Sequence, residues 1–426
     1  MSLRRMALTN YRCFADSEDI ELAPLTVILG RNNSGKSALV RAPLVIGTGI
    51  RTESPIPLDL DELPEDILDS FTDLVYGNRP HGGISMDLEI SGASESTVQV
   101  SAAIQNIDEC MTQVVSKFEL AAGGVRTVLT WDLKDPINPT YDAVHDGAEL
   151  GPLRVRFHGI IPIGFEPVAG TPEESSFLEF IEGMGSAVRE NYPVVRYVGP
   201  FRERPHRRYR LPGRMPSDVG ISGEFAAGIL ASDIARNNRS LIRQVNLDLA
   251  DNLPGWSVDV VERGGLYSVV LKSESEDGLE VNLADSGTGV AQVLPLFVQR
   301  ALDMLSPPES PVLEIVEQPE LHLHPAAHGP LADLYLTAVQ RSKVRFIVET
   351  HSETFLLRLR RRIAEGMPAA NVTLFFVEHA GAHSRTRRIN IAQDGSLDFW
   401  PEGVFSEDYE EARALAAAQL ERRANL

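Results

Sequence analysis

The chain has 426 residues, of which 43% are hydrophobic and 23% charged, a balance that supports a sizeable core and excludes wholesale disorder. Its formal net charge of −20 argues against a general grip on nucleic acid, whose phosphates attract lysine and arginine, though it leaves room for a local basic groove. No apolar run reaches the roughly 18 residues that a bilayer span needs, the opening MSLRRMALTNYRCF lacks the apolar stretch of a secretory signal, and Cys13 and Cys110 are too few and too far apart for a disulfide framework or a metal knuckle. A reducing cytoplasm is the expected compartment.

In chain order, the amphipathic segment Leu3–Phe14 and the apolar run Leu25-Thr26-Val27-Ile28-Leu29 predict two strands, the second buried. Gly30 ends that run, and a helical pattern starts near Lys36. Residues 84–160 alternate with period 2: Ile84, Met86, Leu88 and Ile90, then Val98, Val100, Ala102 and Ile104, then Leu129, Trp131 and Leu133. That is the pattern of half-exposed antiparallel strands. Over 175–191 the spacing turns helical, with Phe177, Phe180, Ile181, Met184 and Val188 on one face. A strand is predicted at Val194–Gly199 and one helix over 231–250. A Gly-rich turn at 285–289 opens a helix to about 305; a buried strand (Val312–Glu317), a helix and a strand (Val344–Val348) follow. An apolar strand over 371–377 and an acidic, then Ala-rich terminal helix from about 406 complete the chain. No internal repeat and no long heptad array is present.

Gly30-Arg31-Asn32-Asn33-Ser34-Gly35-Lys36-Ser37 satisfies GxxxxGK[ST] and sits between a buried strand and a helix start. The glycines let the backbone wrap phosphates with its N–H groups, and the helix end favours the anion. Lys36 would reach the β- and γ-phosphates and Ser37 would ligate Mg²⁺. The run Val312-Leu313-Glu314-Ile315-Val316-Glu317 is an apolar strand ending in a carboxylate, the Walker B pattern, whose carboxylate holds the magnesium shell. Pro319 ends the strand and aims the next turn at the site.

Glu317-Gln318-Pro319-Glu320-Leu321-His322-Leu323-His324-Pro325 resembles the Walker B loop of ABC-type P-loop ATPases of the OLD/RecF-like group, the OLD-related AAA family ATPases without a Toprim domain. NYRCF near the start, followed by the P-loop, is similar to how those heads begin. Asp285–Leu296 (DSGTGVAQVLPL) resembles their ABC signature, and Glu349–Glu353 (ETHSE) their switch-histidine loop. The segment IAQDGSLDFWPEGVF, from Ile391, resembles the C-terminal part of one subgroup. The resemblance implies an α/β P-loop NTPase fold: an ABC-ATPase-like head with a β-rich antiparallel lobe and a helical lobe. It places residues 1–80 in the first part of the head, 81–195 in the β-rich lobe plus a helix, 196–370 in the part bearing signature, Walker B and switch histidine, and 371–426 in a C-terminal strand and helix segment. It implies ATP and Mg²⁺ as cofactors, held by Gly30, Asn32, Asn33, Ser34, Gly35, Lys36 and Ser37, with Glu317 and Ser37 on the metal. Ser286, Gly287 and Gly289 would touch the γ-phosphate held by a second subunit, and His351 would stand near that phosphate. Such heads form homodimers, or higher homo-oligomers, with ATP sandwiched between subunits. They often serve in anti-phage defence or genome surveillance beside a separate effector protein such as a nuclease.

The chain departs from that pattern at Gln318, where many such heads carry a glutamate that activates water. An amide can position water but cannot take its proton, so hydrolysis is expected to be slow, or to use Glu320 or Glu349. Glu317, Gln318, Glu320 and His351 are the candidate catalytic residues. Glu314, a charge inside an apolar strand, has no account from sequence. His322 and His324 read as structural or interface residues rather than metal ligands, since no third ligand is indicated. Arg202, Arg204, Arg207, Arg208, Arg210 and Arg214 place six arginines within thirteen residues. Nucleic acid, another subunit or a nucleotide, or a solvated salt-bridge hub would each explain the run. About seventy-five residues follow His351, with no DxD pair, which argues against a built-in Toprim nuclease. The absence of LSGGQ argues against a transporter subunit, and the β-rich insert lacks the heptads of a coiled-coil chromosome-structuring ATPase. A RecF-like DNA-repair ATPase is the remaining alternative.

Overall fold

The apolar run Leu25–Gly30 lies fourth in a six-stranded sheet whose order is Val194–Val198, Val312–Glu317, Arg345–Glu349, Leu25–Gly30, Val372–Ala380 and His383–Ile389. This is a computed structural model, and it describes residues 3–16, 19–64, 67–92, 97–166, 172–236, 238–250, 254–275, 278–401 and 407–424. The first five strands are parallel and the last is antiparallel to its neighbour. Parallel strands must be covered on both faces, which is why they read as unbroken apolar runs. Ile28, Ile315, Ile347 and Phe375 enter one core, while Val27, Val316, Val348 and Phe376 enter the other.

The first core is closed by a nine-stranded antiparallel sheet. Its meander runs through Gly83–Ser91, Thr97–Ile107, Thr112–Ala122, Val125–Trp131, Thr140–His145, Ala148–His158 and Ile161–Glu166. Ile84, Met86, Leu88 and Ile90 are buried in alternation, as their spacing predicts. The sheet takes its other two strands, Leu3–Thr9 and Ile20–Glu21, from ahead of the P-loop; Met6 pairs with Leu88. The helix Pro172–Asn191 packs beneath with Phe177, Ile181 and Val188 buried. The second core is covered by the helices Ala226–Arg236, Ser240–Leu249, Thr288–Leu305, Pro325–Arg341 and Glu353–Ala364.

Several expectations are corrected. The single helix over 231–250 is two helices. Asn238 and Arg239 take left-handed φ of 53° and 65° between them, and the buried Asp233 carboxylate accepts from Ile242 N at 3.0 Å and Ser240 Oγ at 3.3 Å, capping the second helix from the first. The first strand stops at Thr9 rather than Phe14, because Asn10 and Arg12 are left-handed at 56° and 52°. A small antiparallel sheet of Tyr209–Arg210, Trp256–Arg263, Leu266–Ser273 and Glu280–Asn282 was not anticipated, nor was the edge strand His383–Ile389. The terminal helix spans Glu407–Ala424, and residues 402–406 of the C-terminal segment lie outside the described residues.

Glu314 now has an explanation. It forms a buried ion pair with Arg300 of the helix Thr288–Leu305. Asp303 meets Arg300 at 3.1 Å and Arg196 at 2.7 Å, so two arginines balance two carboxylates. The Arg300 guanidinium also lies 4.6 Å from the centre of the Phe346 ring. Removing one partner from such a cluster leaves a buried charge uncompensated. Arg300→Met is therefore expected to lower unfolding free energy by about 3–5 kcal/mol, read from denaturant midpoints; a loss under about 1 kcal/mol would mean the cluster is solvated.

Candidate nucleotide site

The loop between strand Leu25–Gly30 and the helix Lys36–Val40 is shaped by close approach. Gly30 has φ 154°, and a Cβ there would stand 2.3 Å from the Val377 carbonyl oxygen. Gly35 has φ 98°, and a Cβ there would stand 2.3 Å from Cys13 Sγ. Asn33 is left-handed at 65°, and its carbonyl lies 2.7 Å from His379 Nε2. No L side chain fits either glycine position. The Ser34 hydroxyl is buried without a hydrogen-bond partner among the described residues, as a donor kept for a ligand would be. Lys36 Nζ donates to Arg31 O at 2.7 Å. Burial holds the Lys36 ammonium below its ordinary pKa, a shift that the Glu349 carboxylate opposes. Arg12, Cys13, Asn33, Gly35, Asp69 and Asn78 line a cleft of about 710 Å³ beside the loop.

The carboxylates come from adjacent strand ends, where Glu317 and Glu349 are register partners. Ser37 Oγ donates to Glu349 Oε2 at 2.9 Å. Glu317 is engaged differently: Arg41 Nε donates to Oε1 at 2.5 Å, Arg41 Nη2 to Oε2 at 2.8 Å, and the Tyr197 hydroxyl to Oε1 at 3.1 Å. Burial, reinforced by the charge of Glu317, raises the Glu349 carboxyl to about 7, against the opposing pull of Ser37, Lys36 and Arg41. Phosphate oxygens and a divalent cation suit this donor set of hydroxyl, ammonium and carboxylates.

Gln318 follows at φ 44°, a strained conformation for this residue. Its N–H donates to Glu349 O at 2.8 Å. The Arg202 guanidinium supports the same peptide, donating to Glu317 O at 3.0 Å and Gln318 O at 3.3 Å. Glu320 is buried; its Oε1 accepts from His351 N at 2.7 Å, and its Oε2 has no partner among the described residues. The loop that follows Glu317 and the loop at His351 are thus joined by one carboxylate. His351 is held neutral, its pKa pushed down to about 4 by burial and by the Lys36 charge.

The P-loop, Glu317, Gln318, Glu320, Glu349 and His351 converge. Ser286, Gly287 and Gly289 make no hydrogen bond to the P-loop among the described residues. Gly289 instead lies against the Walker B loop, where its Cβ would meet His322 O at 3.0 Å. Gly287 is exposed, with open space where a side chain would stand. His324 caps the helix Pro325–Arg341, its ring accepting from Ala326 N, and no cluster of three or more histidine, cysteine, aspartate or glutamate side chains is placed to hold a metal ion among the described residues. Of the arginine run only Arg202 is buried; Arg204, Arg207, Arg208, Arg210 and Arg214 are exposed, with Arg207 paired to Asp285 at 2.6 Å. Arg202 is therefore withdrawn from any nucleic-acid contact. Sequence reasoning missed Arg41 and Tyr197; the one signal was an arginine within the apolar stretch 38–50.

Residues 1–45 and 229–356 match the model of the AAA ATPase domain family, less than half of the chain but including Gly30–Ser37, Asp285–Leu296, Val312–Pro325 and Glu349–Glu353. The chain carries a P-loop ATPase domain. Among solved structures it is similar to an Smc head bound to the C-winged helix domain of ScpA (13% identity, TM-score 0.46, 92% of this chain and 99% of that one). It is also similar to the SMC head domain from Thermotoga maritima (12%, 0.43, 92% and 100%). A third is the Smc head with an extended coiled coil bound to the C-terminal domain of ScpA derived from Pyrococcus furiosus (13%, 0.44, 91% and 96%). No curated protein matches the chain. No helix among the described residues is long and apolar enough to cross a membrane.

Two titrations check the electrostatics. The His351 imidazole is expected to give neutral-ring nitrogen shifts at pH 6 by NMR and to titrate only near pH 4. For Glu349, a folded pKa of about 7 against an ordinary 4.5 means that the folded state binds the extra proton between those values. Stability therefore falls as pH rises through that window, by on the order of 3 kcal/mol. In metal-free, nucleotide-free buffer, Glu349→Gln is expected to raise the melting temperature at pH 8 and leave it unchanged below pH 4.5; equal shifts at both pH values would contradict the assignment.

Proposed function

We propose that the chain is an ABC-type head that pairs with a second copy of itself over ATP, hydrolyses slowly and serves as a nucleotide-dependent switch. The observation that carries this is the placement of Gly287. It is exposed, begins the 18-residue helix Thr288–Leu305, and has open space around it, so its end of the helix is available to phosphates held by another copy. Bound Mg²⁺–ATP supplies the phosphoanhydride bond and the cation that neutralises it. Around it, Lys36 and the loop amides bind the phosphates, and neutral His351 donates or accepts one hydrogen bond. Gln318 orients water without taking its proton. Glu320, fixed by His351 N and with its second oxygen unpartnered, is the carboxylate proposed to accept it.

Slow turnover suits a device that reports its bound nucleotide. The resemblance to OLD/RecF-like ATPases supplies the proposed setting, the ATPase half of a cytoplasmic anti-phage defence or genome-surveillance system with its effector on another chain. A second reading, a RecF-like ATPase that touches DNA directly, rests on the exposed Arg204, Arg208 and Arg210; its affinity would fall steeply with salt.

Light scattering with ATP·Mg²⁺, with ADP and without nucleotide tests the switch. The wild type is expected to double in mass with ATP alone and to turn over below about 1 s⁻¹. Lys36→Ala should lose both binding and association, and Gly287→Glu should bind ATP yet stay single. A constitutive assembly with brisk turnover, indifferent to nucleotide, would remove the proposal.

A further inference from the structure

Glu317 and Glu349 end adjacent strands but differ in what already occupies them. Both oxygens of Glu317 are taken by the Arg41 fork, and Tyr197 adds a third donor. The Arg41 guanidinium is itself braced 5.5 Å from the centre of the Tyr197 ring. Taking Glu317 for a metal would break a bidentate charge-assisted pair and leave a largely buried guanidinium without a counter-charge. Glu349 has one described donor, the hydroxyl of Ser37, and that hydroxyl is the P-loop's own metal ligand.

We propose that Glu349, together with Ser37, supplies the protein's share of the magnesium shell, and that Glu317 is a fixed counter-ion for Arg41. This rests on the nucleotide-site reading above, and it reverses the role that position in the Walker B motif gives Glu317. The charges support the division. Arg41 and Glu317 neutralise each other, Lys36 is reserved for phosphate, Glu320 is tied to the His351 amide, and Glu349 is the carboxylate in contact with the Ser37 hydroxyl. Magnesium takes one or two protein carboxylates alongside phosphate oxygens and water, and one available carboxylate beside a serine hydroxyl meets that demand. The strand end is held for the task, since Glu349 O accepts from Gln318 N at 2.8 Å. Ser37 Oγ keeps lone pairs for a cation whichever way its proton points.

The test compares wild type, Glu349→Gln and Glu317→Gln by fluorescence titration of a fluorescent ATP analogue in EDTA and in Mg²⁺, with Mn²⁺ paramagnetic resonance to count the metal bound alongside ATP. Glu349→Gln is expected to bind nucleotide in EDTA as wild type does, but to lose on the order of tenfold or more in metal affinity. Glu317→Gln is expected to keep the metal dependence. Loss in Glu317→Gln alone, loss in both variants, or loss in neither overturns the proposal. Should Glu349→Gln fail to bind nucleotide even in EDTA, Glu349→Asp decides: it keeps the charge but shortens the reach, so weakened metal affinity supports the proposal and unchanged affinity overturns it. A wild type that binds no nucleotide in either buffer would instead refute the nucleotide-site reading itself.

Discussion

The nucleotide site depends on two points where backbone has no room for a side chain. Gly30 is pressed against the Val377 carbonyl and Gly35 against Cys13 Sγ. One contact comes from the neighbouring core strand, the other from the segment preceding the P-loop strand. The loop is therefore moulded from outside rather than by its own sequence alone. Sheet register does the rest: parallel pairing brings the ends of Leu25–Gly30, Arg345–Glu349 and Val312–Glu317 together, so residues far apart in sequence share one edge.

That edge is coupled to the helix Thr288–Leu305 by two polar devices. Deep in the fold, Arg300 and Asp303 of the helix engage Glu314 and Arg196. Nearer the site, Gln292 of the helix pairs with the Arg202 backbone, its Nε2 donating to Arg202 O at 3.1 Å, while the Arg202 side chain holds the Glu317 and Gln318 carbonyls. Polar contacts of this kind have strong geometric preferences. A displacement of the helix would be felt at the strained Gln318 peptide, whereas a purely apolar interface would let the two elements slide.

The central strands, the P-loop turn and the start of the helix Thr288–Leu305 were legible in the sequence because each depends on local signals: unbroken apolar runs, glycines and a helix start. The alternation from Ile84 to Ile104 announced its sheet for the same reason. What stayed hidden depends on distant pairing. Nothing local says that Arg41 meets Glu317, 276 residues away, or that Glu314 is neutralised by a helix. Arg202 sits in a run whose composition suggests a surface, but only tertiary packing buries it. The small sheet over 256–273 is a different failure. Val258 and Val260 are buried in alternation, as are Tyr267, Val269 and Leu271 apart from the buried Val270 between them, so the period was present but blurred.

The antiparallel sheet has a consequence for how this architecture can vary. Its strand Leu3–Thr9 is sewn to Gly83–Ser91, yet the same stretch of chain leads directly to Cys13 and the P-loop. The lobe is thus not a cassette that could be cut out between two junctions and exchanged for another. Grafting a different lobe onto this core would mean redesigning the strand that precedes the phosphate loop, so the two cannot be altered independently.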